Sequence, residues 1–225
     1  MYYGLINSMN RALAPSYPAS QRLFFDPGNP LSYSGSGTTV TDLSGYSNNC
    51  TLVNGVGYST SNGGIFTLDN TNDNITTPLY ATLSNMACVV WFKISSYKAD
   101  LNFLMCDVGA QYSVFGVNIA KKLYWGNYGS TPTVGTTDIL LNTWYCVGFN
   151  HKTGQKGEVY LNGVLDGQSS ANANNIGSNT FPLKIGTNNI YYFDGAIGVY
   201  QLYNNSITAS DFALVFNNFK SRYGY

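Results

Sequence analysis

The chain has 225 residues and a formal net charge of zero, and only 10% of its residues are charged, against roughly 25% in an ordinary globular protein. With no lysine and arginine stripe to neutralise phosphates there is no basis for nucleic-acid binding, and no run of about 18 apolar residues is present to cross a membrane. What remains is a chain long enough for one all-β domain with a substantial core, under a neutral surface of glycine, asparagine, threonine, serine and tyrosine.

Residues 1–22 carry no sustained period, and Pro15 and Pro18 break any helix begun at residues 10–14. The segment lacks the apolar core of a secretory signal, so the protein is expected to be made without export or to have lost a leader. Tyr2, Tyr3, Leu5, Ile6, Met9, Leu13 and Tyr17 are too apolar for a solvated tail. They are read as an attachment arm that docks on a partner chain. The fold proper is expected over residues 23–225, led in by a strand at 21–25. The turn Asp26-Pro27-Gly28-Asn29-Pro30 follows, in which proline fixes φ. Residues 34–38 are a flexible connector, 44–49 a loop, and 50–53 a short strand ending at Asn54-Gly55. Residues 64–69 alternate apolar with polar, and 70–74 form a loop rich in oxygen-bearing side chains. The longest apolar run, 86–94, predicts a central strand buried on both faces. Strands are also expected over 102–108, 111–119 and 121–125, followed by a loop or ribbon to residue 138.

Tyr145, Val147 and Phe149 fall on one face of an extended segment, with Trp144, Cys146 and Gly148 on the other, the period of a strand. The polar run 151–157 reads as a loop, which would expose His151. A second strand over 158–161 then ends at Asn162-Gly163, the pair that best tolerates a tight hairpin turn. Over 208–222 the pattern changes: Phe212, Val215, Phe216 and Phe219 form one helical stripe. Thr208 is the expected N-cap with Asp211 three residues on, and Lys220 and Arg222 suit the helix C-terminus. The stripe should pack on the sandwich edge or on a neighbour. Cys50, Cys88, Cys106 and Cys146 include no C-x-x-C pair, and Cys88 and Cys146 lie in core-like strands. All four are expected to be reduced, small buried hydrophobes.

Residues 144–163, together with Lys184-Ile185-Gly186, Phe193-Asp194-Gly195-Ala196-Ile197-Gly198-Val199-Tyr200 and residues 202–208, resemble the closing strands of laminin-G-like, concanavalin-A-like jelly-roll domains. The opening Asp26-Pro27-Gly28-Asn29-Pro30 and Asp42-Leu43-Ser44-Gly45 extend the resemblance from about Leu23 to the C-terminus. It implies an all-β, two-sheet antiparallel jelly-roll sandwich with an N-terminal arm and a short C-terminal helix. The same opening, with the close Asn218-Phe219-Lys220-Ser221-Arg222-Tyr223-Gly224, looks like bacteriophage structural proteins. The expected function is therefore a non-enzymatic virion surface protein, a capsid decoration, cement or fibre-associated protein. It would pair with other virion proteins, form homo-oligomers, and bind glycans of the host or environment. A free lectin or adhesion module is the alternative, and a degenerate glycosidase the third reading.

Glycoside hydrolysis needs two carboxyl groups flanking the sugar bond. Glu158 is the sole glutamate, and the clustered E-x-D-x-x-E strand of this superfamily's glycosidases is absent. His151, the sole histidine, has no nucleophile elbow near it, and one histidine with scattered cysteines gives no zinc spacing. The resemblance invites calcium, for which Asp69, Asn72, Asp73 and Asp107 offer oxygens, although Gln111 stands where laminin-type modules often place an acidic ligand. Sugar binding needs aromatic faces beside neutral amides and hydroxyls. Tyr112, Tyr124, Trp125, Asn127 and Tyr128 supply both in one region, and Asn188, Asn189, Tyr191 and Tyr192 in another. The same residues would equally serve as sheet positions or interface anchors.

Overall fold

Short alternating runs joined by glycine- and asparagine-rich turns build two facing sheets. The computed structural model describes residues 17–81, 85–98, 101–107, 112–127, 129–176 and 181–225. Sheet A runs, in spatial order, β14 (Val164–Asn172), β13 (Lys156–Leu161), β12 (Trp144–Lys152), β7 (Asn85–Ile94), β16 (Asp194–Tyr203), β5 (Ile65–Asp69) and β4 (Gly57–Ser59), with β1 (Gln21–Phe25) also on β16. Sheet B runs β11 (Thr133–Val134), β10 (Leu123–Asn127), β9 (Ser113–Val117), β8 (Asn102–Cys106), β15 (Pro182–Ile185), β6 (Asn74–Tyr80), β3 (Cys50–Val53) and β2 (Thr39–Val40). Neighbours within each sheet pair antiparallel. This is the jelly-roll sandwich that the resemblance implied.

The core lies between the inner faces, where Phe25, Phe66, Phe92, Phe115, Phe149 and Trp125 meet. Trp125 of sheet B stacks on Phe149 of sheet A with ring centroids 3.7 Å apart, and Phe115 meets the same phenylalanine edge-on at 5.1 Å. Each such ring contributes roughly 1.5–3 kcal/mol by leaving water.

β7 is buried on both faces, as its unbroken apolar run predicts, because sheet A has a third layer outside it. Cys88, Val90 and Phe92 point to the core, while Val89 and Trp91 point outward into a second apolar cluster. That cluster is closed by α1 (Ala209–Phe219) and a 3₁₀ turn, Lys220–Tyr223. Thr208 caps α1 in the expected capping box, its Oγ1 accepting from the Asp211 N–H and the Asp211 carboxylate from the Thr208 N–H. The helix therefore lies across the outer face of a sheet, not at the sandwich edge. Phe212 stacks on Tyr160 at 3.8 Å, and Tyr223 on Trp91 at 4.2 Å. The close seat requires glycine at 148, where an added β-carbon would lie 2.5 Å from Phe212 Cε1.

One further expectation changes. β12 continues through Lys152, so the polar run contributes only a tight turn at 153–155, and His151 is fully buried instead of exposed. Its side chain follows the inward parity of Tyr145, Val147 and Phe149, which outweighs its polarity because the Trp125 Nε1–H reaches it. The ribbon after β10 contains one two-residue strand, β11. The four cysteines are free and buried, as expected. Cys88 faces the core and Cys146 the outer cluster, on opposite faces of sheet A.

Candidate functional site

The outer face of sheet B carries two rows of side chains set by strand register. In one, Phe103 of β8 pairs with Gly116 of β9, Gly116 with Tyr124 of β10, and Tyr124 with Val134 of β11. In the next, Lys184 of β15 pairs with Cys106, Cys106 with Val114, and Val114 with Gly126. Leu101, Phe103 and Cys106 form a buried floor against which Val114 and Tyr124 pack. Tyr124 leans along its own strand over Gly126: a β-carbon added there would lie 2.8 Å from the ring Cε1 and 2.9 Å from the hydroxyl. Glycine at 126 leaves room for the half-buried ring above it, while the space over Gly116 is filled by Leu101, whose Cγ would lie 3.3 Å from a β-carbon added there. Three strand spacings, about 14 Å, separate Gly126 from Lys184 along the row.

The two tyrosine and asparagine regions singled out in the sequence meet this face at its two sides. Tyr112, 47% exposed, directly precedes β9. Lys184 Nζ donates to Asn189 Oδ1 at 2.7 Å and so draws the 186–193 hairpin toward the face. Asn188 is occupied within that hairpin, its Oδ1 accepting from the N–H groups of Ile190 and Tyr191 at 3.0 and 2.8 Å. Tyr191 is exposed and Tyr192 half-buried. Trp125 and Asn127 have the opposite parity to Tyr124 and point inward. Trp125 belongs to the core stack, and Asn127 is buried with its Nδ2 donating to the Asn175 carbonyl at 3.5 Å. Tyr128 lies outside the described residues, as do Tyr2, Tyr3, Leu5, Ile6, Met9 and Leu13 of the arm. Tyr17 packs edge-on against Phe24 at 5.6 Å, and its hydroxyl accepts from Asn218 Nδ2 at 3.3 Å.

Glu158 and His151 sit on opposite faces of sheet A. The Glu158 carboxylate faces outward and accepts from Asn150 Nδ2 at 3.0 Å, the Tyr160 hydroxyl at 2.9 Å and Gln168 Nε2 at 3.1 Å. Asn150 also donates to the Ile207 carbonyl at 3.0 Å and accepts from its N–H at 3.1 Å, so this network holds the chain just before α1. His151 Nδ1 accepts from Trp125 Nε1 at 3.4 Å inside the core. Burial pushes the imidazole pKa down to about 4, against the opposing effect of the Asn174 backbone.

Residues 69–213 match the family model described as the concanavalin A-like lectin/glucanases superfamily. The chain belongs to this superfamily. No curated protein matches it. Among solved structures, domain 4 of AbnA, a GH43 extracellular arabinanase from Geobacillus stearothermophilus in complex with arabinotriose, is 16% identical. The match has a TM-score of 0.68 and covers 87% of this chain and 98% of that one. The binding domain of Paraclostridial Mosquitocidal Protein 1 is 16% identical with a TM-score of 0.68, covering 89% of this chain and 52% of the other. The Trypanosoma rangeli sialidase in complex with the inhibitor DANA is 13% identical with a TM-score of 0.65, covering 92% of this chain and 34% of the sialidase. At these identities the likeness is one of fold.

Within this concanavalin A-like domain the calcium candidates do not converge. Asp69 and Asp73 meet, and burial followed by the neighbouring Asp69 raises the Asp73 carboxyl. The Asn72 carbonyl accepts from Asn54 Nδ2 at 3.0 Å and Asn74 Nδ2 at 3.3 Å. Asp107 follows β8, its Oδ2 accepting from the Ser113 N–H at 3.1 Å. Among the described residues no three histidine, cysteine, aspartate or glutamate side chains are grouped to hold a metal ion, and calcium needs six to eight oxygens. The set does not fit. Gly116, Gly126 and Lys184 were passed over in the sequence although they frame Tyr124 and Asn189. The signal was the spacing Tyr124-x-Gly126, which puts both on one face of a strand.

Proposed function

We propose that this domain is a non-catalytic glycan-binding protein that serves on a virion surface, as a capsid decoration, a cement or a fibre-associated protein. The observation that carries the glycan reading is Tyr124 lying over Gly126 beside Gly116. A ring laid over a glycine suits the C–H side of a sugar, the same contact by which aromatics bury apolar area. Lys184 and Asn189, about 14 Å along the row, supply polar groups for a second sugar unit, and Tyr112 stands at the opposite side. The likeness to a domain solved with arabinotriose supports the same ligand class. The absence of catalysis is supported by Glu158, whose partners are two amides and a phenol, and by His151, which is spent in the core.

The particle role rests on the opening and closing motifs, which resemble phage structural domains and which the fold joins through Asp26 and Arg222. The residues before Tyr17, which itself packs on Phe24 of the same domain, supply the contact to other virion chains or to a second copy. A glycan array tests the first part: the wild-type domain should retain glycans, and Tyr124→Ala should weaken them about tenfold. Glu158→Gln should leave binding unchanged and no sugar should be released. Turnover abolished by Glu158→Gln would overturn the non-catalytic reading. Quantitative mass spectrometry of purified particles tests the second part, since a decoration protein appears at fixed stoichiometry, whereas a free lectin does not.

A further inference from the structure

On the outer side of sheet A, between β1, the 42–46 turn and the end of α1, lies an open groove with a cavity volume of about 800 Å³. Tyr17, Phe24, Tyr46 and Phe219 give it aromatic walls, and Asn29 and Asn218 give it amides. The turn is built by Asp42. Its Oδ1 accepts from the N–H groups of Phe24 and Ser44 at 2.9 and 2.8 Å, and its Oδ2 from the Asn48 N–H at 2.9 Å and the Ser44 hydroxyl at 2.7 Å. This closes the free edge of β1 and projects Tyr46 into solvent, 52% exposed, with the Arg22 guanidinium 4.2 Å from the ring centroid. The Asp42-Leu43-Ser44-Gly45 stretch, the Asp26 turn and the segment at Asn218 are far apart in the chain, and they converge here.

The charge at the groove is spent. Asp26 is the one ionisable carboxyl among the described residues that line it, and both oxygens take hydrogen bonds from Arg222, which is not among them. No lysine or arginine is among the described lining residues. Beneath it Gln201, fully buried, points its side chain toward Tyr17, yet its Nε2 has no well-formed acceptor. The volume lies within the range of roughly 300–1,000 Å³ typical of ligand sites, room for about two or three sugar rings.

We propose that this groove is a second saccharide site, separate from the Tyr124 face, that takes neutral oligosaccharides and rejects those bearing carboxylate or sulfate. The inference rests on the reading that the domain binds glycans. Four aromatic rings line the walls, with Arg22 over one face of Tyr46, and because Asn29 Oδ1 accepts from the Leu31 N–H and Asn218 Nδ2 donates to Tyr17, it is the Asn29 Nδ2 donor and the Asn218 Oδ1 acceptor that are offered to sugar hydroxyls. With Arg222 already committed to Asp26 and no lysine or arginine among the described lining residues, an acidic sugar would bring a charge that finds no partner in the groove. A domain with two such sites holds a branched or repeating glycan by two contacts, and avidity then exceeds either affinity.

The test is titration of ¹⁵N-labelled protein with arabinotriose, maltotriose and 3′-sialyllactose, using wild type, Tyr46→Ala, Asn218→Ala and Tyr124→Ala. Tyr46 and Asn218 are exposed, so these variants keep the fold. A neutral trisaccharide should move amide signals at 42–46 and 218–219. Tyr46→Ala should weaken that response about tenfold, while Tyr124→Ala leaves it unchanged. Binding lost in Tyr124→Ala but kept in Tyr46→Ala overturns the groove and leaves the Tyr124 reading standing. No response at 42–46 to either neutral trisaccharide, or an equal response to sialyllactose, also overturns the groove.

Discussion

Arg222 holds Asp26 through a single nitrogen, with Nη1 2.9 Å from Oδ1 and 2.8 Å from Oδ2. The rest of the guanidinium ties a third segment, Nε donating to the Asn62 carbonyl at 3.0 Å and Nη2 to the Gly64 carbonyl at 3.3 Å, while Asn62 Nδ2 donates back to the Arg222 carbonyl at 2.8 Å. One side chain thus joins the opening turn, the 61–64 turn and the closing residues. Asp26 also accepts from the Gly28 N–H at 2.9 Å, which fixes the turn after β1.

Arg222→Lys should therefore destabilise the domain by about 2–3 kcal/mol, because an ammonium keeps the charge but not the fork of donors, leaving carbonyls and a partly buried carboxylate short of partners. Urea unfolding with an unchanged slope and a lowered midpoint is the expected result. A midpoint within error of wild type would show that water replaces the guanidinium at no cost.

Gly148→Ala should cost about 1–3 kcal/mol. The new methyl would meet Phe212 Cε1 and the Cys88 carbonyl, each at 2.5 Å, and the latter is backbone that cannot swing away. Loss of near-ultraviolet dichroism from the Tyr160 and Phe212 stack, with the far-ultraviolet β signal kept, would locate the damage at the helix seat.

His151 sets an acid limit. Its folded pKa, about 4, lies below its ordinary value of 6.5, so the unfolded chain binds the proton more readily between these values. The stability it confers is whole above pH 6.5 and drains away as pH falls toward 4. His151→Phe should flatten that part of the stability curve. An unchanged slope between pH 6.5 and 4 would mean that the imidazole is protonated inside the fold without cost.

Thiol chemistry should report unfolding alone. Burial pushes Cys88 up to about 12 and raises Cys50 and Cys146 as well. Because the folded values lie above the unfolded ones, this contribution is whole below about pH 8.5 and is lost as pH rises toward 12. Alkylating reagents should label the native protein slowly and all four cysteines in urea. A recovered Cys88–Cys146 disulfide would contradict their placement on opposite faces of sheet A.

Where a run alternates or repeats, local spacing was enough to read the structure. Tyr145, Val147 and Phe149 gave β12, and Thr208 with Asp211 gave the start of α1. His151 departs from the exposure its polarity predicts because parity prevails: two residues past Phe149, it belongs to the same inward row. Trp125 is the same lesson, since Leu123 and Trp125 share the face opposite Tyr124. The groove was illegible for a different reason. Its walls come from residues near 17–29, 42–46 and 218, and no periodicity links segments that only the closed fold brings together.

The Arg222 and Asp26 contact spans 196 residues of chain, which gives it a place in time as well as in space. Contacts of such separation form only after the intervening loop has been closed by other pairings. The clasp is therefore expected to be open when the chain crosses its folding barrier and to shut afterward. Breaking it should hasten unfolding while leaving the folding rate almost untouched, so Arg222 governs how long the native sandwich survives more than how fast it is made.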